Sequence, residues 1–404
     1  MKYSASRFGF AAFTALATLG LVCMGGLVTS KGVGMAVPDW PTSFGYNMFA
    51  LPVAQWFHGG VFDEHTHRLW ASTVGLLVVL LTRWLGGQES RRPLALIGAA
   101  EVVGGLCLLL LGPDWKGAGH FLAGIGGVVL LSAAIWVRVP RAEGILPQLG
   151  WAAFWLVQLQ GLLGGLRVVL DKALVGNVTL GMVFGMIHGC LGQMFFVLLG
   201  VIALMCSRAW IAWSEERQVS PETSQVQPWL WAGAALVVLQ LLLGAGMRHQ
   251  HAGLAITDFP LAYGQIWPAT DPESMLRYNQ LRTHESTVTD FQIHLQMVHR
   301  IGAVMALVVI LTAACQVWRR LGWDSPLGKG AAIWAGLVLM QFMLGMFTVW
   351  TNKAADVATA HVAGGALLLL VGTLLILIAR KLSVPSWTAI PVEPVRAFAR
   401  PAVH

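Results

Sequence analysis

The chain has 404 residues, 56% of them hydrophobic and only 11% charged, and its mean hydropathy is +0.67. A water-soluble domain carries roughly 25% charged residues, so this composition excludes a soluble fold of this size and leaves lipid as the solvent. The net charge of +7 comes from 26 Lys and Arg against 19 Asp and Glu. These bases are not clustered on a polar face, so the charge is read through membrane topology and no nucleic-acid partner is expected.

A span takes about 20 mostly apolar residues. Ten are predicted, over residues 8–29, 65–85, 93–112, 119–138, 148–168, 179–206, 228–246, 293–318, 329–350 and 357–379. The first follows Lys2 and Arg7 as a signal peptide would, but its run to about Val28 exceeds an h-region of about 7–15 residues and ends in Gly25-Gly26 without a small-x-small site. It reads as a retained helix. Glu101 interrupts the third span and glycines weaken the fourth. Basic residues mark alternate loops: Arg83, Arg91 and Arg92; Arg138 and Arg141; Arg208 and Arg217; Arg319, Arg320 and Lys329; Arg380, Lys381, Arg396 and Arg400. The positive-inside rule then places both termini in the cytoplasm and the loops 30–63 and 247–292 outside. The five cysteines, Cys23, Cys107, Cys190, Cys206 and Cys315, lie in apolar runs and form no CxxC, which argues against a zinc or redox motif.

The two halves repeat. Gly25, Gly34, Ala36, Asp39, Pro41 and Gly45 recur at the same spacing as Gly244, Gly253, Ala255, Asp258, Pro260 and Gly264. His67-Arg68 matches His299-Arg300, Gln160-Gly161-Leu162-Leu163-Gly164 resembles Gln341-Phe342-Met343-Leu344-Gly345, and His188 matches His361. His67 and His188 are 121 residues apart but His299 and His361 only 62, and most of the surplus falls before Gln160. The third and fourth spans, about residues 90–145, are therefore an insertion into a four-plus-four plan. Both halves start on the cytoplasmic side, which makes this a parallel repeat. The expected fold is an all-α integral membrane protein of two pseudo-symmetric four-helix bundles plus two inserted helices. Its N-terminal unit covers 1–210 and its C-terminal unit 225–382, with a cytoplasmic tail over 383–404.

Twelve histidines are present. His67, His188, His299 and His361 each lie in apolar sequence near the outer end of a span, and each has a repeat partner. An imidazole in lipid costs free energy unless it is paired or ligating. Two neutral imidazoles on opposite faces of a planar macrocycle give a six-coordinate haem iron, and bundle cores host cofactors in this manner. The alternative is hydrogen bonding between helices or a proton path. Glu64 lies three residues before His67 on the same helical face, with Gln296 in the matching place; it either acts in chemistry or caps its helix against the dipole. Arg68 and Arg300 would pair with haem propionates or anchor the interface, and Arg248 at the mouth of the second half is a comparable candidate. His65, His249, His251, His284 and His294 lack repeat partners and are expected on solvated surface. Asp39 and Asp258 are expected to fix loop turns.

The loop "GGLVTSKGVGMAVPDWPTSFG", the "EHTHR" opening the second span, "QGLLGGLRV" and the repeated histidines resemble haem A synthase, across both halves apart from about 90–145. The resemblance implies an oxidoreductase of the inner (cytoplasmic) membrane that acts on a CH group, converting the C8 methyl of haem O to a formyl group for terminal-oxidase assembly. It implies a haem B cofactor between His299 and His361 and the haem O substrate between His67 and His188, with the catalytic glutamate on Glu64. It also implies haem sites toward the outer face. Candidate partners are haem O, the haem O-forming farnesyltransferase, an electron-transfer partner and a second copy of the chain. Ten spans instead of eight, and the lack of a cysteine pair in the first outer loop, depart from the family pattern. A di-haem b-type electron-transfer cytochrome would explain the same four histidines without Glu64. A transporter would need ionisable residues near the midplane, which are scarce apart from Glu101.

Overall fold

The computed structural model describes residues 3–135, 140–176, 178–215, 221–282 and 287–383. Arg138, Arg217, His284, Arg396, Arg400, His404 and the tail beyond Ser383 lie outside them. Ten long helices are numbered here in chain order: α1 (Ala5–Ser30), α2 (Val61–Gly86), α3 (Arg91–Leu111), α4 (Lys116–Ala134), α5 (Leu146–Val169), α6 (Leu180–Cys206), α7 (Pro221–His249), α8 (Asp290–Leu321), α9 (Pro326–Trp350) and α10 (Ala355–Ser383). A two-stranded hairpin of Leu174–Val175 and Val178–Thr179 links α5 to α6.

Several starts follow capping chemistry. The Ser4, Thr179 and Ser325 side chains accept from backbone N–H groups in the first turns of α1, α6 and α9, and Thr289 forms a capping box with Gln292 at α8. Nine continuous helical runs among the described residues are long and apolar enough to cross a membrane. One of them, Val61–Leu111, is broken at Gly87, whose φ of 58° suits glycine and divides α2 from α3. Val79 and Leu94, about two turns either side of the break, share one apolar cluster with Val129 and Ala133, so the chain doubles back there. The chain is a multi-pass membrane protein of about ten spans. Leu110 is 87% exposed and Leu96 72% exposed. Water would penalise such a surface, and acyl chains cover it.

Helices α1, α2, α5 and α6 pack in a ring, and α7, α8, α9 and α10 form a second ring. They meet along a seam where α1 and α6 touch α10 and α6 touches α7. Glycine allows the approach: a Cβ at Gly26 of α1 would lie 3.3 Å from Thr359 Cγ2 of α10. The second ring is filled around Trp334, fully buried, whose indole N–H donates to Leu368 O at 2.9 Å. The inserted helices α3 and α4 pack mainly on one another through Gly98 against Gly126 and Gly105 against Gly119. They reach the first ring at α2 and through Gln158 of α5, which donates to Glu101 at 2.6 Å.

Two matching loops close one end of the rings. Asp39 accepts from Phe44 N at 2.6 Å and Gly45 N at 2.9 Å, and Asp258 accepts from Tyr263 N at 2.7 Å and Gly264 N at 2.9 Å. Phe44 and Tyr263 both have positive φ, of 52° and 51°. Each aspartate thus fixes a turn, as expected. Burial alone would push the Asp39 carboxyl up, but hydrogen bonds from Gly45, Thr42 and Phe44 outweigh it and hold the group below the usual carboxylate range. A carboxylate with a lowered folded value stabilises fully above its unfolded value of about 3.9 and loses that contribution as pH falls. Proteolytic nicking of loop 31–60 should therefore rise below about pH 4. Asp39→Asn should show the higher rate at neutral pH as well and so lose the pH dependence; a variant that keeps the wild-type rate at neutral pH would contradict this.

Candidate functional site

The four repeated histidines fall within the first ten residues of their helices, His67 on α2, His188 on α6, His299 on α8 and His361 on α10. Each ring turns its Cε1 against a glycine of a neighbouring helix. A Cβ would stand 3.1 Å from His67 at Gly25, 3.3 Å from His188 at Gly164, 3.5 Å from His299 at Gly244 and 3.3 Å from His361 at Gly345. Gly25 and Gly244 are repeat partners, as are Gly164 and Gly345, so sequence repetition becomes repetition of geometry. His67 and His188 lie close enough for their charges to repel, and so do His299 and His361. The structure therefore brings the histidines together as one pair per ring.

Their hydrogen bonding is incomplete. Nδ1 of His67, His188 and His361 is buried without a hydrogen-bond partner, although His188 faces the backbone carbonyl of Gln160 and His361 that of Gln341. The Gln240 amide lies 2.9 Å from His299 Nδ1. A ring that ligates metal through Nε2 carries its proton on Nδ1 and donates it to such an acceptor. Among the described residues no three His, Cys, Asp or Glu converge as a protein-only metal centre. Two imidazoles per ring suit a macrocycle that brings four nitrogens of its own. The residues present fit that group.

Glu64 is buried and does not cap its helix. The N-cap of α2 is Gly60, which makes no side-chain bond, and Glu64 stands in the first turn, where its charge suits the helix dipole. Glu64 instead accepts from Arg68 at 2.7 Å and from Val37 N of the loop at 2.8 Å. Gln296 takes the same place in the second ring, accepting from Ile256 N at 2.6 Å. Arg68 donates to the carbonyls of Asp39, Thr42 and Val37, and Arg300 to those of Asp258 and Leu261. Both guanidiniums hold loops. Arg248, at the end of α7, crosses the seam to donate to Gly26 O and to Ser30 Oγ at 2.7 Å.

Two expectations are corrected. His65 is fully buried, not solvated: it packs edge-on to Trp56, with ring centroids 4.9 Å apart, and its Nδ1 lies 3.4 Å from Ser43 Oγ. His249 lies in the seam, where a Cβ at Gly185 of α6 would meet its Cε1 at 2.6 Å. Sequence reasoning also missed Arg167 in the last turn of α5. Its guanidinium presses on Gly34 of the first loop and its stem on Gly185. The matching residue of the second half is Thr348, so a search by repetition passes over it. The available signal was a lone arginine inside an apolar span.

Fold and site together define an integral membrane protein with a pair of buried imidazoles in each helical ring. Residues 118–373, more than half of the chain, match the COX15-CtaA family, described as cytochrome oxidase assembly protein, and the chain belongs to that family. His188, His299 and His361 fall inside the matched region; Glu64 and His67 precede it. Among its relatives, the heme A synthase of Symbiobacterium thermophilum is 28% identical over 67% of this chain and 79% of its own length. That of Rhodospirillum centenum is 28% identical over 60% of this chain and 61% of its own. That of Alkalihalophilus pseudofirmus is 23% identical over 87% of this chain and 90% of its own.

Enlarging the cradles tests the geometry. Gly345→Leu should overpack His361 and destabilise the protein by about 1–3 kcal/mol. Gly161→Leu, where nothing lies within 4 Å, should change stability by less than about 0.5 kcal/mol. Thermal unfolding in detergent compares the two, and equal losses would contradict the packing described.

Proposed function

We propose that this chain makes haem A, as its relatives' names describe, and that it does so by oxidising the C8 methyl of haem O to a formyl group. The observation that carries the reading is the paired histidines, one pair per ring, each cradled by glycine and three of them short of a hydrogen-bond partner at Nδ1. The reading puts the pockets toward the outer face of the cytoplasmic membrane.

His67 and His188 hold the substrate by its iron and so fix the methyl relative to α2. His299 and His361 hold a haem B, which when bound supplies one-electron redox chemistry. Written with water as the oxygen source, methyl to formyl releases four electrons and four protons, so the pocket needs a proton acceptor and an external electron acceptor. Glu64 is the acceptor proposed. Gln296 makes the equivalent loop bond without any ionisable group, so holding the loop does not require a carboxylate. The carboxylate at 64 is surplus to that task, and it stands one turn from His67. The ion pair with Arg68 fixes it in place. Proton transfer by a positioned carboxylate contributes typically about 10²–10⁴-fold. Of the three arginines considered for macrocycle carboxylates, Arg248 is the one not held by a loop.

The same comparison supplies the test. Glu64→Gln reproduces the arrangement at Gln296, so it should keep the loop and the bound macrocycles yet lower formyl formation by at least about a hundredfold. The check is expression with a haem O supply, followed by pigment extraction and mass analysis. Wild-type haem A yield in the variant would remove Glu64 from the chemistry. Two equivalents of unmodified haem B in the native protein would identify an electron-transfer cytochrome instead.

A further inference from the structure

The seam between the rings gathers two arginines and a neutral imidazole that the loop contacts do not use. Arg167 comes from the first ring, and Arg248 and His249 from the second. The Arg167 guanidinium has no hydrogen-bond acceptor among the described residues. It lies within electrostatic reach of His67 and His188, of Glu64 and Asp171, and of Arg248 and His249. Arg248 uses one terminal nitrogen on α1, while its Nε is buried and unpartnered, and its charge reaches His361. His249 packs over Gly185 beside the Arg167 stem. Glu64 is already bound to Arg68 and Val37 N. No acidic side chain is bonded to Arg167, Arg248 or His249 among the described residues. The buried, unpartnered Nε of Arg248 costs free energy, and a carboxylate satisfies such donors with short, charge-assisted bonds.

We propose that Arg167, Arg248 and His249 form a single anion site at the seam, which receives carboxylate side chains from the macrocycles held at the two histidine pairs. Arg167 serves the ring between His67 and His188, and Arg248 the ring between His299 and His361. The two macrocycles then present their carboxylate edges to each other across the contact of α1 and α6 with α7 and α10. This rests on the reading that the histidine pairs hold tetrapyrroles. It adds Arg167 and His249, which repetition does not mark, and it fixes how the two rings face.

The test uses full-length protein made without haem and titrated in detergent with haem B or with its dimethyl ester, whose carboxylates are capped, the Soret band reporting binding. Wild-type protein should take the free acid at least about tenfold more tightly than the ester, one charge-assisted contact being worth about that factor. Arg167→Gln and Arg248→Gln should still bind haem but each should narrow the preference, and the double variant should bind acid and ester within about twofold. Arg167→Lys, which keeps the charge but not the fork, should retain part of the preference. Equal binding of acid and ester by the wild type, or an unchanged preference in the double variant, would overturn the anion site while leaving the histidine pockets intact. A thermal shift with inorganic phosphate that depends on Arg167, without any acid-over-ester preference, would make it a free-anion site and overturn the assignment. No Soret band with either ligand would sink the tetrapyrrole reading and this site with it.

Discussion

A neutral imidazole placed among apolar helices loses its water, and the loss is recovered only if both ring nitrogens find partners. In this protein three of four such rings keep a buried nitrogen without one. That deficit is the constraint around which the rest is arranged. Glycines at 25, 164, 244 and 345 let the neighbouring helices close onto the rings. The rings therefore have little room to turn and seek other partners. A metal bound through Nε2 would fix the proton on Nδ1, and the carbonyls of Gln160 and Gln341 stand near His188 and His361 to receive it, the usual support for a metal-ligating histidine.

The loops are secured by a second repeated device. An arginine one residue after the first histidine of each half gathers carbonyls from its loop, and a carboxylate or amide one turn earlier takes a loop N–H. The halves share this latch but differ in whether it can carry a proton. A duplicated scaffold can then give one pocket chemistry and leave the other as a holder, without a change of fold. The inserted pair α3 and α4 stands apart from this logic. It packs mainly on itself and reaches the first ring through α2, the Glu101–Gln158 bond and a contact of Phe121 with Trp40, ring centroids 5.4 Å apart.

Much of this was legible in the sequence because lipid imposes simple rules. Apolar length marked the helices, and Gly87 explains why one helical run over Val61–Leu111 is two spans, as the hydropathy reading has them. Repetition marked the four histidines, their glycines and the turn-fixing aspartates Asp39 and Asp258. It failed where the halves differ. Arg167 faces Thr348 in the alignment of the halves and so carried no repeat signal, yet it lies in the seam. His65 and His249 looked solvated because loops adjoin them in sequence. In space, Trp56 and Ser43 cover the first and Gly185 admits the second. The partner of Glu64 was also hidden, since a bond to Val37 spans a loop whose path no periodicity describes.

The central claim is that each ring grips a macrocycle iron between two imidazoles. Low-temperature electron paramagnetic resonance of the oxidised, purified protein tests it most directly, with iron counted per chain. Two low-spin iron signals of bis-imidazole type are predicted, one lost on His67→Ala or His188→Ala and the other on His299→Ala or His361→Ala. Iron absent from the native protein, or the same two signals surviving all four substitutions, would contradict the account.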